Sequence, residues 1–394
     1  MIREKLKELD TGDEINWNYI PFGDLTANFD TLRIPVKEPE RKTGPYPYYG
    51  ASGIIDWVDG YIFDGEYLLI AEDGENLKSR KMPIAFMAKG KFWVNNHAHI
   101  VRGNSKADTL FLMYVLRFAD VSAYLTGSTM PKLTQGSMNK ILIYAPPLPE
   151  QKAVASILGA LDDKIEMNRK MNETLEAMAR AIFKSWFVDF DPIPGFGPHK
   201  EWQDSPLGRI PQGSKVGTIG DIIELAYGKA LKEDDRQPGQ VPVYGSNGQV
   251  GCHNERLVDG PGIVVGRKGN PGIITWVPTD FYPIDTTFYV VPRGIIKSVY
   301  YLCHALKLQD LPSLGADSAV PGLNRNMAYM NKMIIPPSNL ISAFDKQIKP
   351  LADKVNNNYE QSLTLAAIRD ALLPKLLSEE IRVKDAERFV GEAI

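Results

Sequence analysis

The sequence predicts an α+β fold: two similar globular α/β domains at opposite ends of a long antiparallel two-helix coiled coil, forming an internal pseudo-twofold repeat. Three observations predict it. Separate motifs recur at a nearly constant offset, two stretches of roughly forty residues keep an unbroken helical pattern, and the segments before them alternate short apolar runs with turn residues.

The repeat comes first because it sets the boundaries. "PYYGASG" at 47–53 matches "PVYGSNG" at 242–248, and "DGEYLLIAEDG" at 64–74 matches "DGPGIVVGRKG" at 259–269, both displaced by 195 residues. "MPKL" at 130–133 matches "VPGL" at 320–323, and Pro146-Pro147 matches Pro336-Pro337, displaced by 190. The resulting plan is a domain at 1–147, a long helix at 148–190, a linker and second domain at 191–337, and a second long helix with a tail at 338–394. Within each domain, "YLLIA", "GIVVG" and "GIITWV" read as strands bounded by Gly, Pro, Asp and Asn. "DTLFLMYVLRFADVSAYL" (108–125) and "SVYYLCHALKL" (298–308) read as helices, and the Pro- and Gly-dense 189–213 reads as linker.

Nothing breaks the first long helix from Pro149 to about Val188, and Pro149 suits a first turn. Spacing by seven places Val154, Leu161, Asn168, Leu175 and Ile182 at one seam position, with Leu158, Ile165, Asn172, Ala179 and Trp186 at the other. The second copy gives Phe344, Leu351, Asn358, Leu365 and Leu372, with Ile348, Val355, Ser362, Arg369 and Leu376. So narrow a stripe needs a partner, and the other copy is the obvious one. About forty residues at 1.5 Å each span roughly 60 Å, so the second helix can return antiparallel, bringing the midpoints Asn168 and Asn358 together. Seam asparagines cost stability and fix register, because a slip buries an amide against an apolar neighbour. Pro374 is expected to end or kink the second helix near Leu373, folding the last residues back towards the first domain.

Composition sets limits on function. At 394 residues, with 44% hydrophobic and 24% charged residues, the chain has the content for more than one core. No apolar run reaches the roughly 20 residues of a membrane span and no secretory leader is evident, so a cytoplasmic protein is expected. Two cysteines, Cys252 and Cys303, are too few for a disulfide framework. A net charge of −3 disfavours a protein that grips nucleic acid through many phosphates unaided; local basic loops or partner subunits would have to supply the charge.

At this point the chain resembles the specificity subunits of type I restriction-modification enzymes. The likeness rests on "YGASG", "YGSNG", the segment "TGSTMPKLTQGSMNKILIYAPPLPEQKAVASILGALDDKIEMNRKMNETLEAMARAIFKSWFVDFDP" and the duplicated domain-plus-helix plan. It covers essentially the whole chain. The resemblance implies two target-recognition domains, each reading half of a split double-stranded DNA site, with the helices as a ruler for the spacer. It also implies that the helices dock methyltransferase subunits, expected to number two, and that motor-nuclease subunits join them. S-adenosylmethionine, ATP and Mg would then belong to those partners, with no cofactor in this chain. Two departures stand out: "PPSNLISAFDKQI" replaces "PPLPEQKAVASIL" in the second copy, and Ser214 stands where such proteins often carry tryptophan.

No catalytic constellation emerges from the residues. "APPLPE" and "IPPSNL" have prolines without the amide, carboxylate or aromatic that would hold a target amine, and "GRKGNPG" lacks the spacing of a phosphate loop. Cys252-His253 and Cys303-His304 invite a zinc reading, but adjacent residues point to different faces and do not chelate. No metal site is assigned. His97 and His99 could share a strand face, with a structural role favoured.

For DNA contact the useful groups are Arg and Lys for phosphate and guanine, Asn and Gln for adenine, and Ser and Thr for either. In the first domain the candidates are Ser52, Lys78, Ser79, Arg80, Lys81, Lys89, Lys91, Asn96, Ser128, Thr129 and Lys132. In the second they are Lys229, Ser246, Asn247, Arg267, Lys268, Asn270, Thr286, Ser318 and Arg325. The run Arg267-Lys268-Gly269-Asn270 ranks first, since flanking glycines let backbone approach closely. A competing class is a scaffold that holds two protein ligands without DNA, which the negative charge favours and the basic loops do not. A fused methyltransferase conflicts with the missing motif.

Overall fold

The computed structural model describes residues 18–127, 130–315, 322–378 and 380–393. Two compact units emerge, Met1–Glu166 with Ser362–Ile394, and Met167–Gln361. The division falls inside both long helices, Leu148–Phe187 and Ser338–Leu377. Each unit therefore includes part of both, because each stretch buries its apolar seam in that unit's own core.

The first unit holds strands β1 (Asn18–Pro21), β2 (Thr26–Asn28), β3 (Thr43–Gly50), β4 (Gly53–Val58), β5 (Phe63–Ala71), β6 (Ala85–Val94), β7 (Ala98–Gly103) and β8 (Leu142–Ala145). Six of them form one sheet in the order β2-β7-β5-β6-β3-β4, and β1 pairs antiparallel with β8. Strand β5 is central, hydrogen-bonded to β6 and β7. Its continuous apolar run serves both faces, as an internal strand requires. Leu68 and Ile70 point into the main core, while Leu69 joins Phe63, Phe92 and Ile100 on the other side. The YGxxG motif is the β3–β4 turn, where Gly53 takes a φ of 120° that side chains rarely adopt.

The second unit repeats this plan with strands β9 (Trp202–Ser205), β10 (Gly208–Pro211), β11 (Lys215–Thr218), β12 (Ile223–Tyr227), β13 (Val241–Gly245), β14 (Gly248–His253), β15 (Gly262–Gly266), β16 (Ile274–Val277), β17 (Tyr282–Pro283), β18 (Thr287–Pro292) and β19 (Lys332–Ile335). The long β6 of the first unit has two short counterparts here. β16 pairs with β15 in a four-stranded sheet, and β17 pairs in parallel with β13 in a three-stranded one. The parallel contact Tyr49↔Val94 reappears as Tyr244↔Pro283.

Three expectations need correction. The helix expected over 108–125 runs only Thr109–Phe118, because the Arg80 side chain donates to the carbonyls of Leu116, Arg117 and Ala119 at 3.2, 3.0 and 2.9 Å and so ends it. The linker over 189–213 contains the β9–β10 hairpin, turned at Gly208 with φ 92°. Pro374 does not stop its helix at Leu373; the helix continues to Leu377 and also runs through Pro350. Leu372, Leu373 and Leu376 are buried in the first unit's core, and that burial outweighs the hydrogen bond Pro374 removes. The tail forms a further helix, Val383–Ala393, whose Ala386 and Val390 enter the same core.

The seam of the second unit is polar where the two helices face each other. Asn168 and Asn358 are 2% and 1% exposed. Asn168 Nδ2 donates to the Asn358 carbonyl at 3.3 Å and to Gln361 Oε1 at 2.9 Å. Asn358 Nδ2 donates to Asn172 Oδ1 at 2.8 Å, and Asn172 Nδ2 donates to the Val355 carbonyl at 3.2 Å. Residue numbers rise on one helix as they fall on the other, so the pair is antiparallel. In the first unit Arg369, also a seam position, pairs with Asp162, whose other oxygen accepts from Tyr114 Oη at 2.7 Å. Asn358→Ala strands the Asn172 amide oxygen and is expected to cost about 1–3 kcal/mol, seen as a lower urea midpoint by circular dichroism; an unchanged midpoint contradicts this.

Candidate nucleic-acid interface

Strand β12 ends at Tyr227, half-exposed, directly beside β18 at Phe288. Arg267 leaves the end of β15 and Arg325 begins a short helix at 325–330, and both guanidiniums lie against the Tyr227 ring, at 5.0 and 4.9 Å from its centroid. Arg267 also meets Phe288 at 5.9 Å and donates Nη1 to the Asp285 carbonyl at 2.7 Å. Arg325 also meets Tyr329 at 5.9 Å. Together with Lys268, Asn324 and Asn326 these groups line an open cavity of about 510 Å³. Contact with aromatic faces restrains the guanidinium groups.

The first unit carries different chemistry at the same place. Backbone bonding gives the correspondence: Leu133 N donates to the Glu72 carbonyl as Leu323 N does to that of Arg267, and Asp73 bridges Lys132 as Lys268 bridges Gly322. Glu72 therefore stands for Arg267, His99 for Phe288 and Asp30 for Tyr227. His99 is 1% exposed, with Nδ1 at 2.6 Å from Asp30 Oδ2 and Nε2 at 2.7 Å from the Leu133 carbonyl. Both ring nitrogens therefore face oxygen atoms of the same domain. Arg33 Nη1 donates to Glu72 at 2.7 Å and to the Ala98 carbonyl at 2.8 Å, and Lys132 Nζ lies 3.2 Å from Glu72. Burial pushes the Asp30 and Glu72 carboxyls up, but for Asp30 the bonds from His99 and Ile100, and for Glu72 those from Arg33 and Lys132, outweigh it and hold both below the usual range.

The candidates read from sequence separate accordingly. Arg267, Lys268 and Arg325 converge on the cleft, and Asn270 donates to Asn247 Oδ1. Lys229, Ser52, Lys81 and Asn96 are exposed on turns and loops, and Lys78 and Ser79 are exposed on the short helix Asn76–Ser79. Lys91 lies 4.7 Å from the Tyr61 ring centroid, and Lys89 is 3.5 Å from Glu66. Others have internal work: Arg80 caps a helix, Lys132 pairs with Glu72, Ser246 Oγ donates at 2.6 Å to the carbonyl of half-buried Thr286. Ser128, Thr129 and Ser318 lie outside the described residues. Sequence reasoning missed Tyr227 and Phe288; the one signal was an aromatic at a strand end before Gly228-Lys229.

The histidine-cysteine pairs have separate surroundings. His253 Nδ1 accepts from Gln237 N at 3.0 Å while Cys252 is exposed. His304 stacks on Phe183 at 5.5 Å, and burial together with Lys307 and Arg180 pushes its pKa down to about 4. Buried Cys303 is pushed up to about 11.

A family model described as "Type I restriction modification DNA specificity domain" matches twice, over residues 14–177 and 211–351. The chain belongs to this family. The type I restriction enzyme MjaIX specificity subunit of Methanocaldococcus jannaschii is 25% identical over 423 residues, covering 97% of each chain. A putative type I restriction enzyme specificity subunit of Haemophilus influenzae is 32% identical over 244 residues, covering 61% of this chain and 59% of that protein. A crystal structure of the type I restriction-modification S subunit from M. genitalium shares the fold, with a TM-score of 0.62 at 19% identity over 94% of this chain and 98% of that one. As a family member the chain is a specificity subunit, and DNA target recognition is its function.

The Arg33 network of this specificity subunit makes a pH prediction. Asp30 and Glu72 have lowered folded pKa values, so their stabilisation is fully present above the ordinary carboxylate range and is lost as pH falls through the lowered values. Arg33→Ala leaves one buried and one half-buried carboxylate short of a partner and is expected to cost about 3 kcal/mol at neutral pH. It also moves the acid-induced loss to higher pH, which urea titrations across a pH series will register.

Proposed function

We propose that this specificity subunit reads a bipartite, asymmetric DNA target, one half-site per globular domain, and docks methyltransferase and motor-nuclease subunits. One observation carries the reading. The same scaffold occurs twice with different groups at equivalent positions, Tyr227, Arg267 and Phe288 in one copy against Asp30, Glu72 and His99 in the other. Only one copy leaves side-chain donors open at this position, so the two domains read bases with different groups, and base readout depends on the donors and acceptors offered.

In this reading the chain is non-catalytic. It selects the site, while methyl transfer with S-adenosylmethionine and ATP- and Mg-dependent restriction reside in the partners. The first long helix supports docking: Met167, Met171 and Met178 fall within one 40° sector at 100° per residue and are 56%, 37% and 47% exposed. Exposed thioethers adapt well to a partner helix. No helix among the described residues is long and apolar enough to cross a membrane.

Co-expression with the cognate methyltransferase subunits, followed by mapping of methylated adenines, is expected to give one split, non-palindromic motif. A contiguous or palindromic motif, or none, contradicts the reading. Met171→Glu is expected to weaken recovery of the methyltransferase subunits with the tagged chain while leaving its circular dichroism unchanged.

A further inference from the structure

We propose that the Tyr227–Arg267–Arg325 cleft reads the O6 and N7 edge of a guanine in the half-site assigned to the second domain, whereas in the first domain Arg33 closes the equivalent position. This rests on the chain's reading as a DNA specificity subunit and adds the identity of a base and its readers.

The argument starts from how the two guanidiniums are held. A phosphate contact needs charge within reach and tolerates a mobile donor, as lysine provides. Arg267 is fixed beyond that need, by one side-chain bond to the Asp285 carbonyl, by its backbone N bonded to the Thr286 carbonyl at 2.9 Å, and by two aromatic rings. Arg325 is likewise held by two rings, and its Nη1 lies 3.4 Å from the Leu225 carbonyl. A guanidinium carries five N–H donors, so each keeps several for a ligand, in a plane already set. That arrangement suits a planar pair of acceptors, and guanine O6 with N7 is the commonest specific partner of arginine in the major groove. Lys268, exposed at the rim, suits an adjacent phosphate.

The first domain supplies the contrast. Glu72 occupies the position of Arg267, and its carboxylate is taken by Arg33 and Lys132 from the same domain. Arg33 is only 14% exposed, with Nη1 donating to Glu72 and to the Ala98 carbonyl. This domain has answered its own acceptors, so its base readers must lie on other elements.

The test uses the full chain assembled with its methyltransferase subunits and a DNA library randomised in both half-sites. The wild-type complex is expected to require at least one guanine in one half-site. Arg267→Lys and Arg325→Lys, which keep charge and lose the planar fork, are each expected to reduce discrimination at that position roughly five- to hundredfold. The other half-site is read as before, which also shows that the variants fold and assemble. If the lysine variants keep the guanine preference and only the alanine variants weaken binding, equally for all sequences and with a shallower salt dependence, the cleft is a phosphate clamp and the proposal is wrong. Unaltered readout in Arg267→Ala and Arg325→Ala also overturns it, while a persisting bipartite motif leaves the broader function standing. A wild-type complex with no split motif overturns both.

Discussion

Two buried asparagines and the amide and carbonyl groups they meet across two facing helices set a constraint that the second unit is built around. Asn168 and Asn172 on one helix must find Asn358, Gln361 and the Val355 carbonyl on the other. Apolar seams tolerate sliding by a turn with modest loss, but these amides do not, because each displaced one would be buried without a partner. The register so fixed places Phe344 and Ile348 against Ala179, Phe183 and Trp186 in a common core. The same core includes Ile263 and Val265 of β15 and Phe288 of β18, the strands from which the cleft is built. The first unit solves its own seam problem with charge instead, pairing Arg369 with Asp162 and anchoring that carboxylate to Tyr114.

Duplication with divergence is the other theme. Backbone bonds survive in both copies, including the bridge Asp73↔Lys132 beside Lys268↔Gly322 and the capped helices begun by Asp108 and Ser298. Side chains on that frame have diverged to opposite ends. One copy presents two stacked arginines to solvent, and the other has turned the position into a closed network of His99, Asp30, Glu72 and Arg33. A sheet whose interior strands are fixed by apolar burial leaves strand ends free to vary, since substitutions there do not disturb the core. Specificity can change in this way without refolding the protein.

Much of the architecture was legible in the chain itself. The constant offset exposed the two copies, heptad spacing located both long helices, and the mid-seam asparagines pointed to their antiparallel pairing. Where the reading failed, a long-range contact had overruled a local signal. Pro374 lies within a helix because Leu372, Leu373 and Leu376 are buried beside it, and the helix at Thr109 stops early because Arg80, distant in sequence, takes its last carbonyls. The recognition residues were only partly visible. Arg267 and Lys268 stood out between glycines and Arg325 was one candidate among many, yet Arg80, Lys132 and Ser246 were candidates too and proved to be tied into their own domain.

The sequence alone determined the fold class, the duplication, the helical seams and the family, because each leaves a periodic or repeated trace along the chain. Only the tertiary structure decided which basic residues face outward. Whether an arginine meets a carbonyl of its own chain or a cleft open to solvent depends on what β12, β15 and the 325–330 turn bring beside it. Those neighbours are separated by tens of residues, and no spacing rule encodes them. Tyr227 marks the difference: an ordinary strand-end tyrosine in sequence, it is in space the surface on which two arginines are set.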